Sequence, residues 1–308
     1  MRKGEMKNAV AMLGALSLAS LFAASGAMAA PDRERGIRIG EPAPAFSLPD
    51  RYGNEVSLSD YLGKKVILYF WVSWCVCRDQ LPLLQQFKDS HPDDSFEIIS
   101  VSIDAQGGRY VNPIADTAKI RYPALLDARA ETARLYHYPA TPAAFLIDEA
   151  GVATGQFILD FELQKSETRE ALEGFLARPA VASPEFSPRR ASIDELQADV
   201  RNDPRNPKAR MRLAGAFQSS GDAVSAIPHW EALCEIKKND CEYKFSLGSA
   251  HFAAGNLEQA LKHWKNAAKC DQTNYIYMRT VQSFEHPGNF YSPEKMKDLY
   301  SDGLEQMK

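Results

Sequence analysis

Two cysteines separated by one residue, Cys75-Val76-Cys77, follow an unbroken apolar run from Val66 to Trp71 and precede a polar-apolar pattern of helical spacing. This arrangement carries two thiols from the end of a buried strand to the start of a helix. The unpaired N–H groups and positive dipole end of a helix N-terminus stabilise thiolate over thiol, so cysteine there becomes nucleophilic. The chemistry this suggests is thiol-disulfide exchange. Residues i and i+2 of a helix point about 200° apart, so the two cannot be both helical and bonded. Cys75 is therefore expected outside the helix as an N-cap-like residue, with Cys77 on the first turn. A bridge across one intervening residue is strained and strain raises reduction potential, which predicts an oxidising or isomerising poise.

The elements that must position this pair can be read around it. Turn residues and alternation over Gly40–Lys64 give a small hairpin before the main strand, Val66–Trp71. A helix is expected over Cys77–Lys88, kinked by Pro82, which has no N–H to donate. Strand Phe96–Ile103, helix Ile114–Lys119, strand Pro123–Asp127 and helix Ala130–Tyr136 follow. A hairpin over Ala140–Asp148 and Gly155–Phe161 and a helix over Glu167–Leu176 complete a mixed-sheet α/β sandwich.

Composition limits the partners. The chain has 308 residues, 45% hydrophobic and 25% charged, with a net charge of −4 and no clustered basic footprint, which excludes nucleic acid as a partner. Residues 1–29 read as a signal peptide: Arg2, Lys3 and Lys7 precede an apolar Ala9–Ala24 stretch and Ala27-Met28-Ala29, with cleavage expected after Ala29. The apolar stretch is shorter than the ~20 residues that span a bilayer, and no cysteine is nearby to take a lipid, so stable membrane insertion after cleavage is not expected. Cleavage removes three basic and one acidic side chain, leaving 33 basic against 39 acidic, a net of −6. The mature protein is expected in the periplasm or otherwise exported, where thiols tend to pair.

Residues 37–177 carry a specific set of ordered motifs. They are Gly40-x-x-Ala43-Pro44-x-Phe46-x-Leu48, Leu58-x-x-Tyr61-x-Gly63-Lys64 and Phe70-Trp71-x-Ser73-Trp74-Cys75, then Cys77-Arg78-x-x-x-Pro82 and Thr141-Pro142-x-x-Phe145-Leu146-Ile147-Asp148 with Gly151. This segment resembles the thioredoxin superfamily, in its exported TlpA/ResA-type, AhpC/TSA-like branch. The resemblance implies a thioredoxin-like fold, with Cys75 as nucleophile, Cys77 as resolving thiol and no cofactor or metal. It also implies that Thr141-Pro142 is the cis-proline loop, which with Trp74 offers a surface to a bound substrate chain. Two departures stand out: the usual Cys-x-x-Cys has lost one residue, and Tyr69 replaces the buried acid of many thioredoxins. A peroxidase would need a hydroxyl three positions before the cysteine, whereas Ser73 is two before, and Pro142 stands where its arginine would be. Copper held by Cys75, Cys77 and His137 is chemically conceivable, but His137 does not match the ligand position of copper-carrying relatives.

Residues 178–190, with Pro179, Pro184 and Pro188, form a semi-extended linker. Beyond it, residues 191–308 are wholly helical in pattern, and Leu213/Leu247, Gly221/Gly255, Ala226/Ala260 and Trp230/Trp264 recur with one spacing of 34. The period resembles the tetratricopeptide repeat, best over 206–272, with degenerate or capping units at Asp194–Asp203, Tyr275–Glu285 and from Ser292-Pro293. The two tryptophans read as core, and His229, His251 and His263 as surface or groove residues. Cys234, Cys241 and Cys270 fall near one end of the array, where one structural disulfide is expected; antiparallel helices favour Cys241–Cys270, while Cys234 is one loop from Cys241. The whole reads as an exported thiol-disulfide oxidoreductase acting on exported proteins or redox partners, the repeats recruiting client or partner. The alternative is a non-catalytic interaction scaffold.

Overall fold

The computed structural model describes residues 36–92, 95–182 and 191–287. The signal segment 1–29, linker residues 183–190 and the Ser292-Pro293 helix lie outside the described residues. Strands β1 (Ser47–Pro49) and β2 (Glu55–Ser57) pair antiparallel as the first small hairpin. The main sheet is built from β3 (Lys65–Trp71), β4 (Phe96–Ser102), β5 (Ala124–Leu126), β6 (Ala143–Ile147) and β7 (Ala153–Ile158), in the order β5-β4-β3-β6-β7. Because β3 is central and buried along its whole length, both of its faces must be apolar, which is why it reads as a run without alternation. It is parallel to β4 and antiparallel to β6. Helices α1 (Gln80–Ser90), α2 (Gly108–Thr117), α3 (Glu131–Leu135) and α4 (Ser166–Leu176) complete the thioredoxin-like mixed-sheet domain that the motifs imply.

Three expected boundaries shift. The helix expected over Cys77–Lys88 divides into a 3-10 turn, Val76–Asp79, followed by α1. Pro82 stands in the first turn of α1, where an N–H has no i−4 acceptor, so it costs no helix bond and produces no interior kink. The helix expected over Ile114–Lys119 begins six residues earlier, at Gly108, because Gly107 turns the chain with a positive φ of 59° and Pro113 is accommodated inside α2. The last strand runs Ala153–Ile158 and not Gly155–Phe161, since its pairing with β6 starts directly after the Asp148–Gly151 turn.

The remaining described chain is helical: α5 (Ile193–Asn202), α6 (Pro207–Ser219), α7 (Ala223–Ile236), α8 (Cys241–Ala253), α9 (Leu257–Cys270) and α10 (Tyr275–Glu285). The helix pairs α6/α7 and α8/α9 repeat residue for residue at the sequence period, and Asn206, Asp240 and Asn274 each cap the N-terminus of α6, α8 and α10 with a side-chain oxygen. Gly221 and Gly255 both take φ 82°, a conformation that glycine adopts without Cβ strain, and so end α6 and α8 in the same way. Trp230 and Trp264 are fully buried.

The array and the sheet domain share a core. Phe245, Trp264, Ile276, Tyr277 and Val281 belong to the same buried cluster as Phe70, Phe145 and the two site cysteines. Polar contacts fasten the array around α3: an Arg129 guanidinium N–H donates to the Gln218 carbonyl at 2.7 Å, Ser249 Oγ to the Arg129 carbonyl at 3.3 Å, and Arg134 faces Glu242 at 3.8 Å.

Candidate active site

β3 and β4 run parallel and end side by side, so the loops after Trp71 and Ser102 meet above the sheet. Asp104 joins them. The Ser73 N–H donates to its Oδ2 at 2.8 Å and Ser73 Oγ to its Oδ1 at 2.6 Å, while Ser102 Oγ donates to Oδ2 at 2.6 Å. Burial pushes this carboxyl above the usual carboxylate range, against the lowering effect of the serine donors. An Arg78 N–H donates to the Ser73 carbonyl at 2.9 Å, so Ser73 is held through both its N–H and its C=O.

Cys75 has extended backbone and caps the 3-10 turn, its Sγ accepting the Cys77 N–H at 3.1 Å. Cys77 lies on the turn and is bonded to Cys75, with Cα atoms 5.0 Å apart. The cap geometry lets a pair one residue apart meet, since Cys75 is free of helical φ/ψ. Tyr69, fully buried on β3, donates its hydroxyl to the Cys77 carbonyl at 2.7 Å. The Thr141–Pro142 bond is cis, and this loop lies against both sulfurs: Cys75 Sγ is 4.0 Å from the Thr141 carbonyl oxygen, and Cys77 Sγ 3.8 Å from Thr141 Oγ1. Both cysteines are almost closed to solvent, at 2% and 3% exposed, whereas Val76 between them is 56% exposed.

Trp74 is half-buried and faces α10, with its ring 6.3 Å from Tyr275 and 5.8 Å from the Arg279 guanidinium. A crevice of about 10 Å³ separates α10 from Val72, Trp74, Ala140 and Thr141. The structure thus brings Cys75, Cys77, Trp74, Thr141 and Pro142 together. Cys241 and Cys270 are bonded to each other, joining the start of α8 to the end of α9 with Cα atoms 5.5 Å apart, and Cys234 is a free thiol. Burial holds that thiol up at about 11. His137 is exposed, and among the described residues no group of three or more His, Cys, Asp or Glu could hold a metal.

Asp104 and the α10 pair Tyr275 and Arg279 escape a reading of motifs. Asp104 does have a signal, a carboxylate at the carboxyl end of a buried parallel strand beside the reactive strand, where α/β sheets form their crevices. Tyr275 and Arg279 have none, because nothing local in α10 points to residue 74.

The AhpC/TSA family profile matches residues 39–156. The chain is 35% identical over 102 residues to Sporulation thiol-disulfide oxidoreductase A of Bacillus subtilis (strain 168), covering 32% of this chain and 61% of that protein. It is 33% identical over 123 residues to Thioredoxin-like protein YneN of the same organism, covering 39% and 71%. With Thiol-disulfide oxidoreductase ResA of Bacillus thuringiensis subsp. konkukian (strain 97-27) it shares 28% identity over 147 residues, covering 47% and 81%. With its cysteine pair at a helix start, its cis-proline loop against both sulfurs and these relatives, the chain belongs to the thioredoxin-like thiol-disulfide oxidoreductases of the AhpC/TSA family.

Proposed function

We propose that this protein is exported and exchanges disulfides with exported proteins through Cys75 and Cys77, while its helical array recruits the client or a redox partner. The observation that carries the reading is the placement of Cys75 Sγ as acceptor of the Cys77 N–H, with the Thr141-Pro142 loop within 4.0 Å. A donor at the helix start favours the thiolate form. In the reduced protein the Cys75 thiolate attacks one sulfur of a client disulfide, and the other client sulfur leaves as a thiolate. The Cys77 thiolate then attacks Cys75 Sγ, expels the second client thiolate and restores the Cys75–Cys77 bond, so two electrons pass to the client. The reverse sequence oxidises a client dithiol. Trp74, Thr141 and Pro142 form the surface against which the client chain lies.

Export is supported by the N-terminal segment and by the Cys241–Cys270 bridge, which suits an oxidising compartment. The 34-residue helix pairs support a tetratricopeptide-like recruiting role, as solenoids of this kind present extended surfaces. Replacing Cys77 by serine and collecting mixed disulfides tests the central claim. Clients should accumulate on Cys75, and their absence would reject it. The burial of both cysteines favours one rival, a scaffold that binds through both parts without exchange; under that reading the Cys77→Ser protein traps nothing.

A further inference from the structure

Exchange requires that an incoming sulfur reach Cys75 Sγ, and its rate depends on access as well as on thiolate character. Here access is restricted by a helix from the far end of the chain. Tyr275 and Arg279 of α10 cover Trp74, the residue before Cys75. The Arg279 guanidinium also lies 4.5 Å from the Tyr275 ring, which fixes it over this face. The Ile276 N–H donates to the Pro139 carbonyl at 3.2 Å, three residues before the cis-proline, and Gln106 Nε2 donates to the Ser283 carbonyl at 3.0 Å. The crevice left between α10 and Thr141, about 10 Å³, has room for about one water. A client backbone needs about 4.8 Å beside the strand or loop it lies along, so it cannot enter while α10 is docked.

We infer that α10 gates the redox pair: docked against Trp74 and Thr141 it holds disulfides away from Cys75, and exchange waits for it to swing away. The inference rests on the thiol-exchange reading above. Release of α10 uncovers Ile276, Tyr277 and Val281, so the docked form is the resting one, while Arg129 and Arg134 fasten the rest of the array through Gln218, Ser249 and Glu242 on other helices.

The test uses the full chain, pre-reduced, in single turnover against oxidised glutathione and against insulin. The double variant Gln106→Ala/Tyr275→Ala removes the hydrogen bond from Gln106 to the Ser283 carbonyl and the ring that packs on Trp74. Alanine is the best helix former and the Asn274 cap on the Ile276 N–H is kept, so α10 itself persists. The insulin and glutathione rates should both rise about tenfold, as a competent fraction near one-tenth approaches one. Change in neither rate, or a fall in both, overturns the inference. Inertness of both the wild type and the variant towards both disulfides instead overturns the thiol-exchange reading itself. Should the variant fail to fold, hydrogen exchange on the Cys77→Ser chain carrying trapped insulin provides a second measurement. Amides of α10 should lose protection on trapping, and unchanged protection overturns the inference.

Discussion

The Tyr69 hydroxyl donates to the carbonyl of Cys77 at 2.7 Å, so the residue that replaces an acid beneath the redox pair is tied to its backbone. That carbonyl also accepts the Gln80 N–H. Tyr69→Phe therefore leaves it one partner and should cost about 1 kcal/mol of stability in urea unfolding. A carbonyl exchanges no proton, so the pH profile of Cys75 alkylation should keep its shape. A displaced profile would show that Tyr69 takes part in proton transfer.

Asp104 gives the site a pH signature of defined sign. Its carboxyl, raised by burial from an ordinary value of 3.8, binds more protons folded than unfolded between that value and its folded pKa. Its contribution to stability is thus full below 3.8 and declines as pH rises through the folded pKa. Asp104→Asn lacks this titration. Unfolding free energies measured across the acid range should shift in favour of the variant as pH rises, and parallel curves would refute the assignment.

Gly248 marks the tightest crossing in the array. A Cβ there would come within 2.5 Å of the Trp264 ring and 3.0 Å of the Ala260 carbonyl oxygen, and Trp264 is fully buried with no room to retreat. Gly248→Ala should therefore destabilise by about 1–3 kcal/mol, in spite of alanine's higher helix propensity. Thermal unfolding checks it, and an unchanged or raised midpoint would be contrary.

Cys241 and Cys270 close a loop of sequence separation 29. Loop-closure entropy on that scale stabilises by about 2–4 kcal/mol. The Cys241→Ser/Cys270→Ser variant should unfold at correspondingly lower denaturant, while single-turnover exchange at Cys75 in the still-folded protein stays within about twofold. A fall in exchange of tenfold or more would instead link this bridge to the redox pair.

The sequence by itself determined the parts of the protein that local physics controls. A continuous apolar run means a strand buried on both faces, and Val66–Trp71 is the middle of β3. The 34-residue spacing places each helix pair because turn glycines and cap side chains act within a few residues of themselves. The geometry of Cys75 as a cap followed from the angular step of a helix. Boundaries were less legible where a proline can serve two roles: Pro82 and Pro113 occupy positions whose cost depends on where the helix begins. Only the tertiary structure decided what closes the site. Asp104 reaches Ser73 across parallel strands, and Arg279 reaches Trp74 across about 200 residues of chain. Such contacts depend on how the array is seated on the sheet domain, a matter of shared core packing among Phe245, Trp264, Ile276 and Val281 that leaves no periodic or motif signal in the chain.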